Sequence, residues 1–95
     1  MIKKTPHKSG KVIVSFHTEV LPEAESVHLV GSFHDWRMTP MKRLKDGRFH
    51  KRVFLKPKCS YEFRYLVDGE TWVNDSEAES YSPNPYGSDN CVVTT

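Results

Sequence analysis

Metal-ligand and nucleophile groupings are scarce in this sequence. It has two cysteines, Cys59 and Cys91, far apart and without a CxxC pair. Its five histidines, His7, His17, His28, His34 and His50, stand singly along the chain. Two thiols and scattered imidazoles do not make a four-ligand zinc site, so no metal is expected. Long apolar runs are missing too. Met1 is followed by Ile2-Lys3-Lys4-Thr5-Pro6, which offers neither a signal-peptide core nor a membrane span. That absence favours a cytoplasmic location with reduced thiols. No charge sign dominates: 14 Lys and Arg face 12 Asp and Glu, for a net charge of +2. The basic blocks Lys42-Arg43 and Lys56-Pro57-Lys58 are too short for a nucleic-acid arm and read as solvated surface.

Catalytic patterns are equally thin. A glycosidase needs two carboxylates flanking one cleft. Here Glu19, Glu23 and Glu25 fall in one loop, Asp68 and Glu70 in a turn, and Asp75, Glu77 and Glu79 in another turn-rich stretch. All read as surface and turn acids. No serine elbow, phosphate-binding glycine loop or His–Cys pairing occurs. With 95 residues the chain fits one domain with one thin core, burying roughly 60–65% of the surface of its unfolded form. A non-enzymatic module without a cofactor is expected.

What is present is alternation. Lys11 to His17 sets Val12, Val14 and Phe16 against Ile13 and Ser15, a strand pattern. Ser26 to Val30 repeats it after the loop Leu21-Pro22-Glu23-Ala24-Glu25. Met41–Leu44 and Phe49–Leu55 flank Lys45-Asp46-Gly47-Arg48, and Asp-Gly signals a hairpin because both residues tolerate positive φ. Lys51 shares a face with Phe49, Val53 and Leu55, which places that face near a sheet edge. Tyr61 to Val67 is the cleanest strand, with Tyr61, Phe63, Tyr65 and Val67 on one face and Glu62, Arg64 and Leu66 on the other. A second Asp-Gly turn, Asp68-Gly69, leads into Glu70–Asn74. Residues 75–88 read as turns, and Asn90–Thr94 as a last strand. Residues 1–10 read as a flexible arm, and residues 11–95 as one domain. About seven short strands with no helical period predict an all-β sandwich.

Two tryptophans border turns: Trp36 ends Gly31-Ser32-Phe33-His34-Asp35-Trp36, and Trp72 follows Asp68-Gly69-Glu70-Thr71. Composition leaves each open between core packing and a flat exposed platform. Exposed indoles suit sugars, whose C–H groups pack on a π face while their hydroxyls bond outward. Arg64, opposite the aromatic face of its strand, is either a solubilising charge or a multi-donor fork for hydroxyls. Asn90 is either a turn cap or a polar contact of the same kind.

The run Val27-His28-Leu29-Val30-Gly31-Ser32-Phe33-His34-Asp35-Trp36 is followed by Phe63-Arg64-Tyr65-Leu66-Val67-Asp68-Gly69, with Trp72 and Asp75 close behind and Tyr86-Gly87-Ser88-Asp89-Asn90-Cys91-Val92-Val93 closing the chain. In this order and spacing the chain resembles the glycogen-binding module of the AMP-activated protein kinase β subunit. The same module, carbohydrate-binding module family 48, stands at the N-terminus of isoamylases and branching enzymes as the early-set domain. The resemblance implies an immunoglobulin-like sandwich that binds α-1,4-linked glucans (glycogen, starch, maltooligosaccharides) without catalysis. It puts the sugar on Trp36, Arg64 and Trp72, with Tyr86, Ser88 and Asn90 from the late loop. Arg64 stands where the kinase module has lysine, Thr71 is an extra residue before Trp72, and Tyr86 replaces an aliphatic residue. Enzyme-attached relatives often bind sugar weakly or not at all. The competing expectation is therefore a scaffold domain that docks a carbohydrate-active enzyme or a kinase.

Overall fold

The alternation resolves into two antiparallel sheets. The computed structural model of the chain describes residues 2–95. In order the strands are β1 (Ile2–Pro6), β2 (Val12–His17), β3 (Val27–Gly31), β4 (Met38–Pro40) and β5 (Lys42–Arg43). They continue with β6 (Phe49–Leu55), β7 (Ser60–Val67), β8 (Thr71–Val73), β9 (Ser80–Pro83) and β10 (Asp89–Thr94). Ser32–His34 forms a single 3-10 turn, and no α-helix occurs among the described residues. The first sheet runs β1-β2-β6-β5; the second runs β4-β3-β7-β10-β9, with β8 beside the later part of β7. This is the expected all-β sandwich.

The core is built from the faces that the alternation marks. Val14 and Phe16 of β2 and Phe49, Val53 and Leu55 of β6 meet Val27, Leu29, Phe63, Tyr65, Cys91 and Val93 of the second sheet. Phe16 and Phe63 pack edge to face across the two sheets with ring centroids 4.9 Å apart. Each buried ring of this kind stabilises the fold by about 1.5–3 kcal/mol through removal of apolar surface from water. Cys91 is buried in this core and Cys59 lies nearer the surface; they form no disulfide. Burial pushes the Cys91 thiol above its ordinary value.

The two Asp-Gly turns differ. At Asp68-Gly69 both residues have positive φ, 53° and 69°, and Glu70 N–H donates to the Val67 carbonyl at 3.0 Å. Val67 pairs with Thr71, so the connection has three residues, Asp68, Gly69 and Glu70, with the left-handed pair at its start. At Asp46-Gly47 only the glycine is left-handed, φ 90°, and Leu44 N–H reaches the Arg48 carbonyl at 2.7 Å.

Several expectations need correction. Residues 2–6, read as part of a loose arm, form β1 and pair with β2 from Ile2↔Phe16 to Pro6↔Val12. Polar composition hides this strand, because its partner β2 supplies a free edge and only Ile2 packs against the core. Within the turn-rich stretch, Ser80–Pro83 is β9, paired with β10 at Cys91↔Tyr81; Pro83 is tolerated because β9 lies at a sheet edge. Met38–Pro40, too short to show alternation, is β4 and pairs with β3 at Leu29↔Thr39. Leu66 is buried although its face points away from the core, since Trp72 and His28 flank it across β8 and β3. Asp75 is not a surface acid: it is 5% exposed. Its carboxylate accepts from the Tyr65 hydroxyl at 2.9 Å and from Glu77 N–H at 2.8 Å. Burial first, then the Asp75 carboxylate, raises the Tyr65 phenol far above its ordinary value, so it stays a donor. Lys51 conforms to expectation. β5 covers β6 only at Phe49 and His50, so from Lys51 onward that side of β6 is an open edge.

Candidate functional site

Period two puts Glu62, Arg64 and Leu66 of β7 on the outer face of the second sheet, away from the aromatic core. Val30 of β3 lies directly across from Arg64. On the other side Cys91 pairs with Phe63, which brings Asn90 one step along to the level of Arg64. Trp72 pairs with Leu66 across the Asp-Gly hairpin and so stands on this same face. The three-residue connection decides the ring's direction: a two-residue turn would set Trp72 opposite the buried Tyr65, and the extra residue shifts it to Leu66 and the outer face.

Trp36 arrives by a different route. Gly31 ends β3 in an extended conformation, and a Cβ there would meet the Phe33 ring at 2.5 Å and the Glu62 carbonyl at 3.0 Å. Only glycine lets Phe33 fold back toward Phe16 and Tyr61, so the chain turns sharply after β3. Ser32 ties the turn to β7 by accepting from Glu62 N–H at 3.1 Å. Asp35 and Trp36 then both adopt left-handed backbone, φ 54° and 61°, with Trp36 N–H donating to the Gly31 carbonyl at 2.9 Å. Left-handed backbone is uncommon for a bulky residue and costs on the order of 1–3 kcal/mol, so the surrounding turn holds Trp36 in place.

The β9–β10 hairpin loop completes the wall. Asn84 organises it: its side-chain carbonyl accepts from Tyr86 N–H at 2.9 Å and Ser88 N–H at 3.3 Å. Its amide reaches Ser88 Oγ at 3.0 Å and Asn90 Oδ1 at 3.2 Å. Gly87, φ 82°, turns the chain back. The result lifts Tyr86 clear of the surface, at 91% exposure.

These pieces enclose an open groove of about 810 Å³. All six residues singled out in the sequence, Trp36, Arg64, Trp72, Tyr86, Ser88 and Asn90, line it. Trp36 and Trp72 are 43% and 46% exposed, which decides against core packing for both. Among the described residues Arg64 is the only charged one in the lining, and it is held from three sides. Its Nε donates to Asn74 Oδ1 at 2.8 Å, its Nη1 donates to Ser88 Oγ at 3.2 Å, and its guanidinium lies 5.5 Å over the Trp72 ring. Asn74 in turn donates to the Asp89 carbonyl at 2.9 Å, and Asn90 donates to Glu62 Oε1 at 3.3 Å. The groove thus offers aromatic faces with amide, hydroxyl and guanidinium groups already oriented. That equipment suits an uncharged, hydroxyl-rich ligand.

Sequence reasoning missed Asn74, Asn84 and Glu62. Asn84 had a signal in Asn84-Pro85-Tyr86-Gly87, where an asparagine side chain caps the turn that follows it. Asn74 and Glu62 had none, because their roles depend on which strand lies beside them. Among the described residues there is no cluster of three or more His, Cys, Asp or Glu able to hold a metal ion. The family described as the glycogen recognition site of AMP-activated protein kinase matches the chain over residues 16–95, a span that contains every groove residue named above. No curated protein matches it.

Proposed function

The chain belongs to the family of the glycogen recognition site of AMP-activated protein kinase, and from that membership we propose that its groove binds α-1,4-linked glucans without acting on them. One observation carries the reading: two half-exposed indoles and a tethered arginine line the same groove in a chain of this family. Glucose units stack their C–H faces on Trp36 and Trp72, and Tyr86 closes over the chain from the loop. Arg64 and Asn90 donate to the outward hydroxyls, while Ser88 and Asn84 hold the loop in register. Because Arg64 is already fixed by Asn74, Ser88 and Trp72, little side-chain freedom is lost on binding. Glycogen, starch and maltooligosaccharides share this surface chemistry. A carbohydrate-active enzyme associated with the module would be brought to the polymer by it.

Shallow sugar sites bind with dissociation constants of roughly micromolar to millimolar, or about −8 to −4 kcal/mol. The test is tryptophan fluorescence titrated with maltoheptaose and β-cyclodextrin into the millimolar range. A saturable change is expected in the wild type, weakened in both Trp36→Ala and Trp72→Ala. A flat titration, or variants that titrate like the wild type, would sink the proposal.

A further inference from the structure

The glucan groove uses the outer face of one sheet. The outer face of the other sheet has a charge distribution that glucan binding does not explain. Strands β1, β2, β5 and β6 carry six of the chain's fourteen Lys and Arg and none of its twelve Asp and Glu. Eight cations therefore face twelve acids across the remainder, so a chain of net charge +2 has one positive sheet on an otherwise acidic body.

Register places three of these six cations on the outer face, in rows; Lys4, Arg43 and Lys51 share register with the inward Val14, Phe49 and Phe16. Lys3 and Arg52 stand on either side of Ser15. His17, His50 and Lys42 form the next row, with the two imidazole rings 4.5 Å apart. Phe54, 45% exposed, lies beyond Arg52 on the same face. Lys3, Lys42 and Arg52 are all exposed, and none makes an ion pair among the described residues. Next to them runs the open side of β6 from Lys51 to Leu55, whose backbone donors and acceptors have no strand beside them.

We propose that this face docks an acidic, extended protein segment, laid along the open edge of β6 with alternate carboxylates toward Arg52 and Lys42. Lys3, two strands further in, adds to the positive field. An added strand satisfies the unpaired backbone groups, and its period of two sends every second side chain to the cationic face. Phe54 supplies apolar contact beyond Arg52, at the end of the charged rows. Positive charge at a sheet edge also repels a second copy of the same chain, so the surface selects for an unlike partner. The two ligands would occupy opposite outer faces, and the module would hold glucan and partner at once. An oligonucleotide is the rival occupant. The open strand edge and the lone phenylalanine favour a peptide over it, since single-stranded nucleic acid is normally bound on several stacked aromatics.

The experiment follows amide shifts of the isotopically labelled full chain while a short peptide of alternating glutamate and threonine is added. The lysine–threonine counterpart and an oligothymidine serve as comparisons. Shifts confined to β1, β2, β5 and β6 are expected, weakening as salt screens the charges over a Debye length of about 10 Å at 0.1 M. The charge-reversed variant Lys42→Glu/Arg52→Glu should lose about tenfold or more in peptide affinity. Its dispersed spectrum and unchanged maltoheptaose titration would show an intact fold. The inference is overturned if the lysine peptide binds as well, if the variant binds like the wild type, or if oligothymidine binds more tightly than the acidic peptide. It does not depend on the glucan proposal, because maltoheptaose is read at the indoles and the peptide at the other sheet.

Discussion

The two outer faces of this sandwich follow the same alternation and present opposite chemistry. On the second sheet the outward positions are aromatic and amide-rich, with one arginine whose hydrogen bonds to Asn74 and Ser88 and contact with Trp72 hold it in place. On the first sheet they are cationic, with Lys3, Lys42 and Arg52 extending into solvent beside a histidine pair. A prearranged, nearly neutral groove suits a hydroxylated chain, where orientation matters more than charge. Unpaired cations on a flat face suit charge attraction, which tolerates loose geometry and weakens with salt. The difference shows that burial divides a strand's residues into inner and outer, whereas the function of an outer face depends on what flanks it. The groove has walls because the Gly31–Trp36 turn and the Asn84–Ser88 loop rise on either side.

The largest expected effect removes both faces together. Phe63 is fully buried beside Phe16 and Tyr65, so Phe63→Ala should cost about 3–5 kcal/mol, a large part of the stability of a domain this small. Urea unfolding measures this; a loss under about 1 kcal/mol would mean the sheets do not share one core. Next comes separation of the faces. Trp72→Ala should lower maltoheptaose affinity about tenfold or more, ~1.4 kcal/mol, and leave acidic-peptide binding unchanged. Equal losses in both titrations would show that the faces are coupled. Arg64→Lys keeps the charge but breaks the fork between Asn74 and Ser88, so glucan affinity should fall by about three- to tenfold. Calorimetry that finds no change would show that a positive charge suffices at this position and that the fork is not used.

The smallest effect depends on pH and belongs to the first sheet alone. Burial, then the neighbouring His50 and Arg48, holds His17 below its ordinary value. Burial, then Arg52, Lys42 and Lys51, does the same for His50. Protonation is thus easier in the unfolded chain, and below about pH 6.5 the unfolded state binds more protons. Their contribution to stability is present above that value and is lost as pH falls toward the lower folded values. The wild type should therefore melt at a lower temperature near pH 5.5 than near pH 7.5. The variant His17→Gln/His50→Gln should show a smaller difference, and glucan binding, whose groove contains no histidine, should change little. An identical pH dependence in the variant would exclude the pair as its source.

Much of this molecule was legible before folding was considered. Alternation over Val12–His17 and Tyr61–Val67 identified the core faces, because burying one side of a strand demands period two. Asp68-Gly69 announced a hairpin, since both residues accept left-handed backbone. The six groove residues were nameable from Gly31-Ser32-Phe33, Asp68-Gly69 and the closing loop through family resemblance, although the pattern alone left both tryptophans ambiguous. Local sequence could not supply the pairing partners. Ile2–Pro6 and Ser80–Pro83 are strands only because β2 and β10 lie beside them, and Asn74 reaches Arg64 only because β8 folds back on β7.

By itself, then, the sequence determined the all-β class, the inward faces and the turn positions, all set by interactions among residues close along the chain. Tertiary structure decided that Trp36 and Trp72 are exposed beside one arginine, that Asp75 is buried under Tyr65, and that the cations of three strands, β1, β5 and β6, gather on one sheet. Those outcomes depend on contacts between segments tens of residues apart, and only closure of the two sheets around Phe16 and Phe63 brings them together.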